Sequence, residues 1–286
     1  MKKTLLLLFS LVYIVVGKSQ TADSLTVVRA KWQIDSLEGM VLKRIHFTKK
    51  NLFGSNQYIS VLEIPADSPN RLALSYEPKR TLTSEHAKRR GALAAINGSF
   101  FDMALHNPIC YLRIDGQELG ENTPQKTDSI HRKYYQYGSL KLNGGRPEIF
   151  IPDSLRNSER ELKDSNIMTA GPLLVYKGRF VEMRGDKTFV SNRHNRTAIG
   201  VKRDGTILLV TVDGRTRESE GLSLQDFQKL LRYIGCHDAL NLDGGGSTTM
   251  YIKGFPHGGI VTHPTDNGKW DFEGERGVSN CILVVK

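Results

Sequence analysis

The sequence predicts an α+β fold: a β-rich single domain with mixed sheets and a few packed helices. Three observations carry that expectation. Short apolar runs, alternating or uninterrupted, recur between clusters of Gly, Pro and Asn, as strands do. One segment repeats apolar residues at helical spacing, through Phe227, Leu230, Leu231 and Ile234. No internal repeat or linker-like stretch divides the 286 residues, a length that suits one sizeable core.

Residues 1–19 read as a secretory signal peptide. Lys2 and Lys3 precede an apolar run from Leu5 to Val16, and the small residues Gly17 and Ser19 stand at the cleavage positions before Gln20. The run is too short for a comfortable membrane span, so the mature protein is expected to be exported, periplasmic or secreted, without membrane insertion. Residues 20–40 form a variable lead-in to a domain over 41–286.

Strands are expected at Val41–Thr48, Gln57–Ile64 and Arg71–Tyr76, punctuated by Pro65, Pro69 and Pro78. A short basic helix over Ser84–Arg90 feeds the apolar strand Ala92–Ile96, which stops at Asn97-Gly98; Phe100 and Phe101 beyond it read as core. Cys110–Ile114 and Leu173–Tyr176 continue the strands. Between them, residues 117–137 are polar and end in Tyr134, Tyr135 and Tyr137. Residues 152–165 are dense in charge and read as a solvated helix or surface insertion.

Thr197–Lys202 and Thr206–Val212 are expected to pair across Asp204-Gly205, a strong hairpin dipeptide. The helix follows, opened by Ser223 with Asp226 and stopped by Gly235. Thr248–Ile252 is the next strand, Phe255–Gly274 a loop rich in Gly, Pro and His. An alternating run closes the chain as a half-buried strand, with Arg276 and Asn280 on one face by period two.

The formal charge is +10 for the whole sequence and +7 without Lys2, Lys3 and Lys18. A basic exported protein suits anionic ligands such as phosphates or uronic acids. Its Lys and Arg residues are scattered, with no stripe alternating with aromatics, which argues against nucleic-acid binding. Cys110, Cys236 and Cys281 are too few for a disulfide scaffold. One pair is available to an oxidising compartment, and Cys281, in an apolar run, reads as a buried thiol. No C-x-x-C or His/Cys cluster points to zinc.

Twice an apolar strand stops at Asp-Gly, in Val212-Asp213-Gly214-Arg215 and in Leu242-Asp243-Gly244. The second continues as Asn241-Leu242-Asp243-Gly244-Gly245-Gly246-Ser247-Thr248-Thr249. Three glycines give up much backbone entropy on folding, which chains tolerate where backbone must approach something closely or adopt positive φ. Successive N–H groups in such a turn can form an anion-binding concavity, with Ser247 and Thr248 adding donors at its rim. A parallel crossover through the intervening helix would set Asp213 and Asp243 at like ends of neighbouring strands.

The ordered set of motifs resembles the phosphodiester glycosidase family. It runs Asn97-Gly98-Ser99-Phe100-Phe101, Ala170-Gly171-Pro172, Arg196-Thr197-Ala198-Ile199-Gly200, Asp213-Gly214-Arg215 and Gly221-Leu222-Ser223-Leu224. It continues through the glycine triplet around Asp243 to Arg276-x-Val278-x-Asn280, covering roughly residues 90–286. The resemblance implies a β-rich α+β domain, cleavage of a glycosidic bond whose aglycone is a phosphate ester, and no required organic cofactor. Thr262-His263-Pro264 departs from the pattern, standing where an Asn is expected before a basic-Pro pair. Residues 117–137 and 152–165 are particular to this chain.

These residue types suit that chemistry. Breaking C1–O of a glycosyl phosphodiester develops positive charge on the sugar and negative charge on the departing phosphomonoester. Arg196, Arg215 and Arg276 are expected as charge-assisted phosphate contacts. The Gly244, Gly245 and Gly246 amides with Ser247 and Thr248 are expected as preorganised donors. Of Asp213 and Asp243, one is expected as nucleophile or base at C1, the other to orient hydroxyls or assist protonation. Asn97, Asn241 and Asn280 are expected to contact sugar hydroxyls or orient backbone. Two other classes fit the same residues: a non-catalytic binder of anionic envelope glycans, and a phosphoesterase holding a divalent cation on Asp213, Asp243 and Asn side chains.

Overall fold

The computed structural model describes residues 21–124, 130–183 and 185–286; the expected signal peptide lies outside them. The largest sheet has eight strands in the order Gln33–Leu37, Met40–Leu52, Ser55–Ile64, Ile207–Val212, Arg196–Lys202, Cys236–Asn241, Leu173–Tyr176 and Arg179–Phe180. Its central hairpin sets Arg196 opposite Val212 and Val201 opposite Ile207, with Gly205 at φ 87° in the turn. The lead-in residues add the helix Ala22–Val28, whose Val27 is buried, and the edge strand Gln33–Leu37.

Mixed sheets were expected, yet every pairing between strands of the described residues is antiparallel. The reason lies in the one strand–helix–strand excursion. After the helix Leu224–Tyr233, the strand Cys236–Asn241 returns parallel to Ile207–Val212 but pairs with Arg196–Lys202, which lies between them. Asp213 and Asp243 therefore leave the same edge of the sheet, one strand apart instead of as neighbours. Two inter-strand spacings put their backbones about 10 Å apart.

The strand Ile207–Val212 is buried along its whole length. Ile207 and Leu209 face a core shared by three sheets, while Leu208, Val210 and Val212 face a second core that includes Leu224, Phe227, Leu230 and Leu231 of the helix. Period-two alternation divides such a strand between two apolar layers, which is why it reads as an uninterrupted run. Each large aliphatic buried this way stabilises by about 1.5–3 kcal/mol. Ser223 caps the helix, accepting from the Asp226 N–H at 3.1 Å and donating to Asp226 Oδ2 at 2.9 Å.

A four-stranded sheet, in the order Met250–Ile252, Ala94–Asn97, Gly277–Val285 and Arg71–Leu82, closes one side of the shared core. The Arg71–Leu82 strand runs past its expected end at Tyr76 and through Pro78. It can do so because it is an edge strand, where a missing N–H costs no ladder bond, and because the register shifts opposite Ser279. Arg276 precedes the first paired residue of Gly277–Val285, and the shift falls between Val278 and Asn280. Strict alternation therefore does not carry from Asn280 back to Arg276, and the two face different surroundings.

The third sheet, Gln117–Gly120, Leu112–Ile114, Ile167–Thr169, Ser139–Asn143 and Arg146–Phe150, completes the core. Of the two readings of residues 152–165, the structure matches the surface insertion and not the solvated helix, most of them being exposed or half-buried. They form a short 3-10 turn, Ser158–Glu161, pinned by a fully buried ion pair between Arg132 and Glu159. Cys110, Cys236 and Cys281 are free and buried. Among the described residues no helix is long and apolar enough to cross a membrane.

Candidate active site

Asn195, the residue entering the strand between the two Asp-Gly turns, is their spacer. Its carbonyl accepts the Gly245 N–H at 3.0 Å, and a Cβ on Gly214 would fall 2.7 Å from its nitrogen. Its Oδ1 accepts from Thr265 Oγ1 at 3.3 Å, and its buried Nδ2 has no partner. Nothing in the sequence singled out Asn195, because its role depends on which strand lies between the two turns.

Two of the three glycine amides expected in an anion cradle are engaged within the protein. The Gly244 N–H is spent on Asp243 Oδ1 at 2.9 Å and the Gly245 N–H on Asn195. What the glycines supply is room. A Cβ on Gly245, which has φ 60°, would fall 2.6 Å from Arg215 Nη2; one on Gly246 would fall 2.6 Å from Arg276 Cζ. Two guanidinium groups thus lie directly against the turn that carries Asp243. Arg276 is steadied by Asp266, whose Oδ1 accepts from its Nε at 2.8 Å and from Nη2. Burial and the neighbouring Arg276 charge pull the Arg215 pKa below its ordinary value, against the opposing pull of Asp266 and Asp243.

Asp243 is only partly exposed beside these cations. Burial pushes its carboxyl pKa up to about 6, against the opposing pull of Ser247, the Gly244 N–H, Arg276 and Arg215. The Ser247 hydroxyl makes no hydrogen bond of normal geometry, but it lies near enough to favour the ionised carboxylate.

Asp213 is fully buried and turned to a different partner. Its Oδ2 accepts from both the backbone N–H and Nδ1 of His263, each at 2.8 Å, while Oδ1 has no partner. Burial raises its pKa and His263 opposes the rise. The carboxylate assigns a proton to the Nδ1 of His263 that faces it. The imidazole stacks on Trp270 with centroids 3.7 Å apart and takes the Tyr58 ring edge-on at 4.9 Å. The sequence had marked His263 only as a departure from pattern, and neither Trp270 nor Tyr58 carried any signal.

Most of the expected polar contacts are structural. Arg196 is corrected from phosphate ligand to backbone clamp: it is buried, and donates to the carbonyls of Leu222, Asn192 and Phe189 at 2.8, 2.9 and 3.2 Å. Asn97 Nδ2 holds the Asp243 carbonyl at 2.7 Å, and its Oδ1 takes the Thr249 N–H at 3.2 Å. The Thr197 hydroxyl lies 2.9 Å from Asn97 Oδ1 and 3.1 Å from the buried Thr248 hydroxyl. Asn280 Oδ1 accepts the Ser99 N–H at 2.7 Å, and Asn241 Nδ2 ties the Gly171 and Leu242 carbonyls at 2.8 Å each. These amides orient backbone, fixing the turn from which Asp243 projects. Among the described residues no group of three or more His, Cys, Asp or Glu is placed to hold a metal ion.

Residues 90–285 match the family model described as phosphodiester glycosidase. The chain is 44% identical over 182 residues to the SPbeta prophage-derived uncharacterized protein YomE of Bacillus subtilis (strain 168), covering 59% of this chain and 25% of that protein. It is 38% identical over 79 residues to the N-acetylglucosamine-1-phosphodiester alpha-N-acetylglucosaminidase of Mus musculus, covering 28% of this chain and 14% of that one. The chain thus spans a quarter or less of the length of these two relatives. Its fold matches the zebrafish catalytic domain of the same enzyme, a structure auto-inhibited by a pro-peptide, with a TM-score of 0.65, 19% identity, and 90% and 89% of the two chains covered. With the family model matched over most of its length, the chain belongs to the phosphodiester glycosidase family.

Proposed function

We propose that the protein hydrolyses the C1–O bond of a glycosyl-1-phosphodiester, releasing a free sugar and a phosphomonoester. One observation carries this reading: a carboxyl with a raised pKa, Asp243, stands on a glycine turn against which Arg215 and Arg276 both lie. Ionised Asp243 acts at C1, either by attacking it or by taking a proton from the attacking water. Retention of anomeric configuration identifies the first role, inversion the second. The bond electrons leave with the phosphate oxygen, and the two guanidiniums stabilise the growing charge on it. The aglycone extends into the adjoining recess of about 620 Å³ lined by Lys50, Asn56, Arg215, Thr216, Arg217 and Glu220. Asp213 fixes the ring of His263 and is a positioning residue. No organic cofactor enters this scheme, and we propose that the enzyme is exported on the strength of residues 1–19.

The test is incubation with a panel of glycosyl-1-phosphodiesters. Reducing sugar with phosphomonoester supports the reading. Sugar-1-phosphate, lost on adding chelator, would mean a metal phosphoesterase, and binding without turnover a glycan receptor. Oxygen-18 from solvent is expected in the sugar and not in the phosphate. Arg276→Ala is expected to lower kcat by about 10²–10³-fold, equivalent to about 2.7–4 kcal/mol, with little change in Tm because Arg276 sits at the rim. Arg276→Lys restores only part of the rate, since a lysine lacks the planar fork.

A further inference from the structure

The order of strands along the catalytic edge gives the cleft a direction. Arg215 leaves the end of Ile207–Val212. Asn195 and then Asp243 follow across the sheet, and Gly171-Pro172 leads into Leu173–Tyr176 on the far side. Arg215 and Arg276 lie against the glycines of the Asp243 turn. The backbone partner of Asp243 leads to an aromatic group. Phe100, two residues beyond the Gly98 carbonyl that accepts the Asp243 N–H at 3.0 Å, has its ring 5.2 Å from Tyr135 and 6.3 Å from Phe189. Tyr134 completes the group, 5.2 Å from Tyr135 and 5.1 Å from Phe189. All four rings are partly exposed.

The scaffold ties this aromatic wall to the strands that carry the turn. The Tyr135 backbone packs on Gly171, where a Cβ would meet its carbonyl carbon at 3.1 Å, and the Gly171 carbonyl is tied to Asn241. Buried Arg196 grips Phe189 twice, through its carbonyl and with the guanidinium 5.6 Å from its ring. Phe100, read from sequence as core, is not enclosed as Phe101 is.

We propose that Phe100, Tyr134, Tyr135 and Phe189 form the sugar subsite, with the apolar C–H face of the glycosyl ring stacked on the wall and the phosphate toward Arg215 and Arg276. This inference rests on the function proposed above. An aromatic face is the negative pole of the ring quadrupole. It attracts the weakly positive C–H face of a pyranose, as it holds Lys133 over Tyr135 and Arg196 over Phe189. The phosphate goes to the guanidiniums that lie on the Asp243 turn. The tyrosine hydroxyls add donors and acceptors for sugar hydroxyls. The wall therefore sets sugar specificity, while Arg215 and Arg276 recognise the phosphate whatever sugar carries it.

The test is steady-state kinetics of Phe100→Leu and Tyr135→Ala on a glycosyl-1-phosphodiester cleaved by the wild type, with inhibition by inorganic phosphate in parallel. Phe100→Leu keeps apolar bulk without a ring, and Tm reports whether each variant is folded. Expected are a 10- to 100-fold fall in kcat/KM, carried mainly by KM, with phosphate inhibition within twofold of wild type, and recovery in Phe100→Trp. Unchanged KM in both folded variants would overturn the subsite, as would equal weakening of phosphate inhibition. A second readout needs no turnover: saturation transfer from protein aromatic protons to methyl glycosides of glucose, galactose, mannose and N-acetylglucosamine. Transfer that disappears in Phe100→Leu supports the subsite even if no phosphodiester is cleaved, which would overturn the catalytic reading alone; absence of transfer in the wild type counts against the wall.

Discussion

Asp243→Asn is expected to lower kcat by about 10²–10⁴-fold, the usual worth of a positioned acid–base group, with the fold intact. Wild-type kcat/KM should fall about tenfold per pH unit below about 6, where Asp243 takes up a proton. The residual activity of the amide variant should lack that limb. Stability should move the other way. A folded pKa raised above the ordinary 3.8 means that ionised Asp243 costs stability. That cost is absent below pH 3.8, grows as pH rises, and is complete above about 6. It amounts to about 1–3 kcal/mol after allowing for partial exposure. Thermal melts should therefore show Asp243→Asn more stable than wild type at pH 7.5 and indistinguishable from it at pH 3.5. A variant that is inactive and also less stable at pH 7.5 would show that Asp243 is a structural carboxylate.

Breaking the buried pair of Arg132 and Glu159 is expected to cost about 3–5 kcal/mol, because either partner alone is left as an uncompensated buried charge. Arg132 donates to Glu159 Oε1 at 2.7 Å and Oε2 at 2.5 Å, and Ser139 and Thr169 also donate to Oε1. Burial opposes ionisation of Glu159, but Arg132 and these hydroxyls outweigh it, leaving the pKa below its usual value. A depressed carboxylate stabilises above its unfolded pKa, and that contribution is lost as pH falls through the folded value. The pair is thus acid-labile where Asp243 is acid-tolerant. Urea unfolding of Arg132→Met and Glu159→Gln near neutral pH should show the full loss in each. The double variant should recover part of it, since no charge is then stranded. Additive losses would mean that the two side chains do not act as a pair.

Much of the frame was legible one segment at a time. The hairpin across Asp204-Gly205, the helix opened by Ser223 and the two Asp-Gly strand ends all follow from spacing and turn chemistry, which are local. The misreadings share a cause. Glu159 looks solvated in a charged stretch until Arg132 meets it from 27 positions away. Arg196 looks like a phosphate ligand until the carbonyls of Phe189, Asn192 and Leu222 surround it. His263 looks like a loop residue until Asp213, Trp270 and Tyr58 close on it.

By itself the sequence determined the strand-and-helix grammar, the family, and the carboxylate that stands beside three glycines. Hydrophobic period, turn residues and glycine runs act over a few residues, so they survive reading in one dimension. Only the tertiary structure decided which arginines lie on that turn, that Asp213 serves a histidine, and that Phe100, Tyr134, Tyr135 and Phe189 gather into one aromatic group. Those outcomes depend on the order of strands across the sheet, which is settled by packing between segments up to two hundred residues apart and leaves no mark in local spacing.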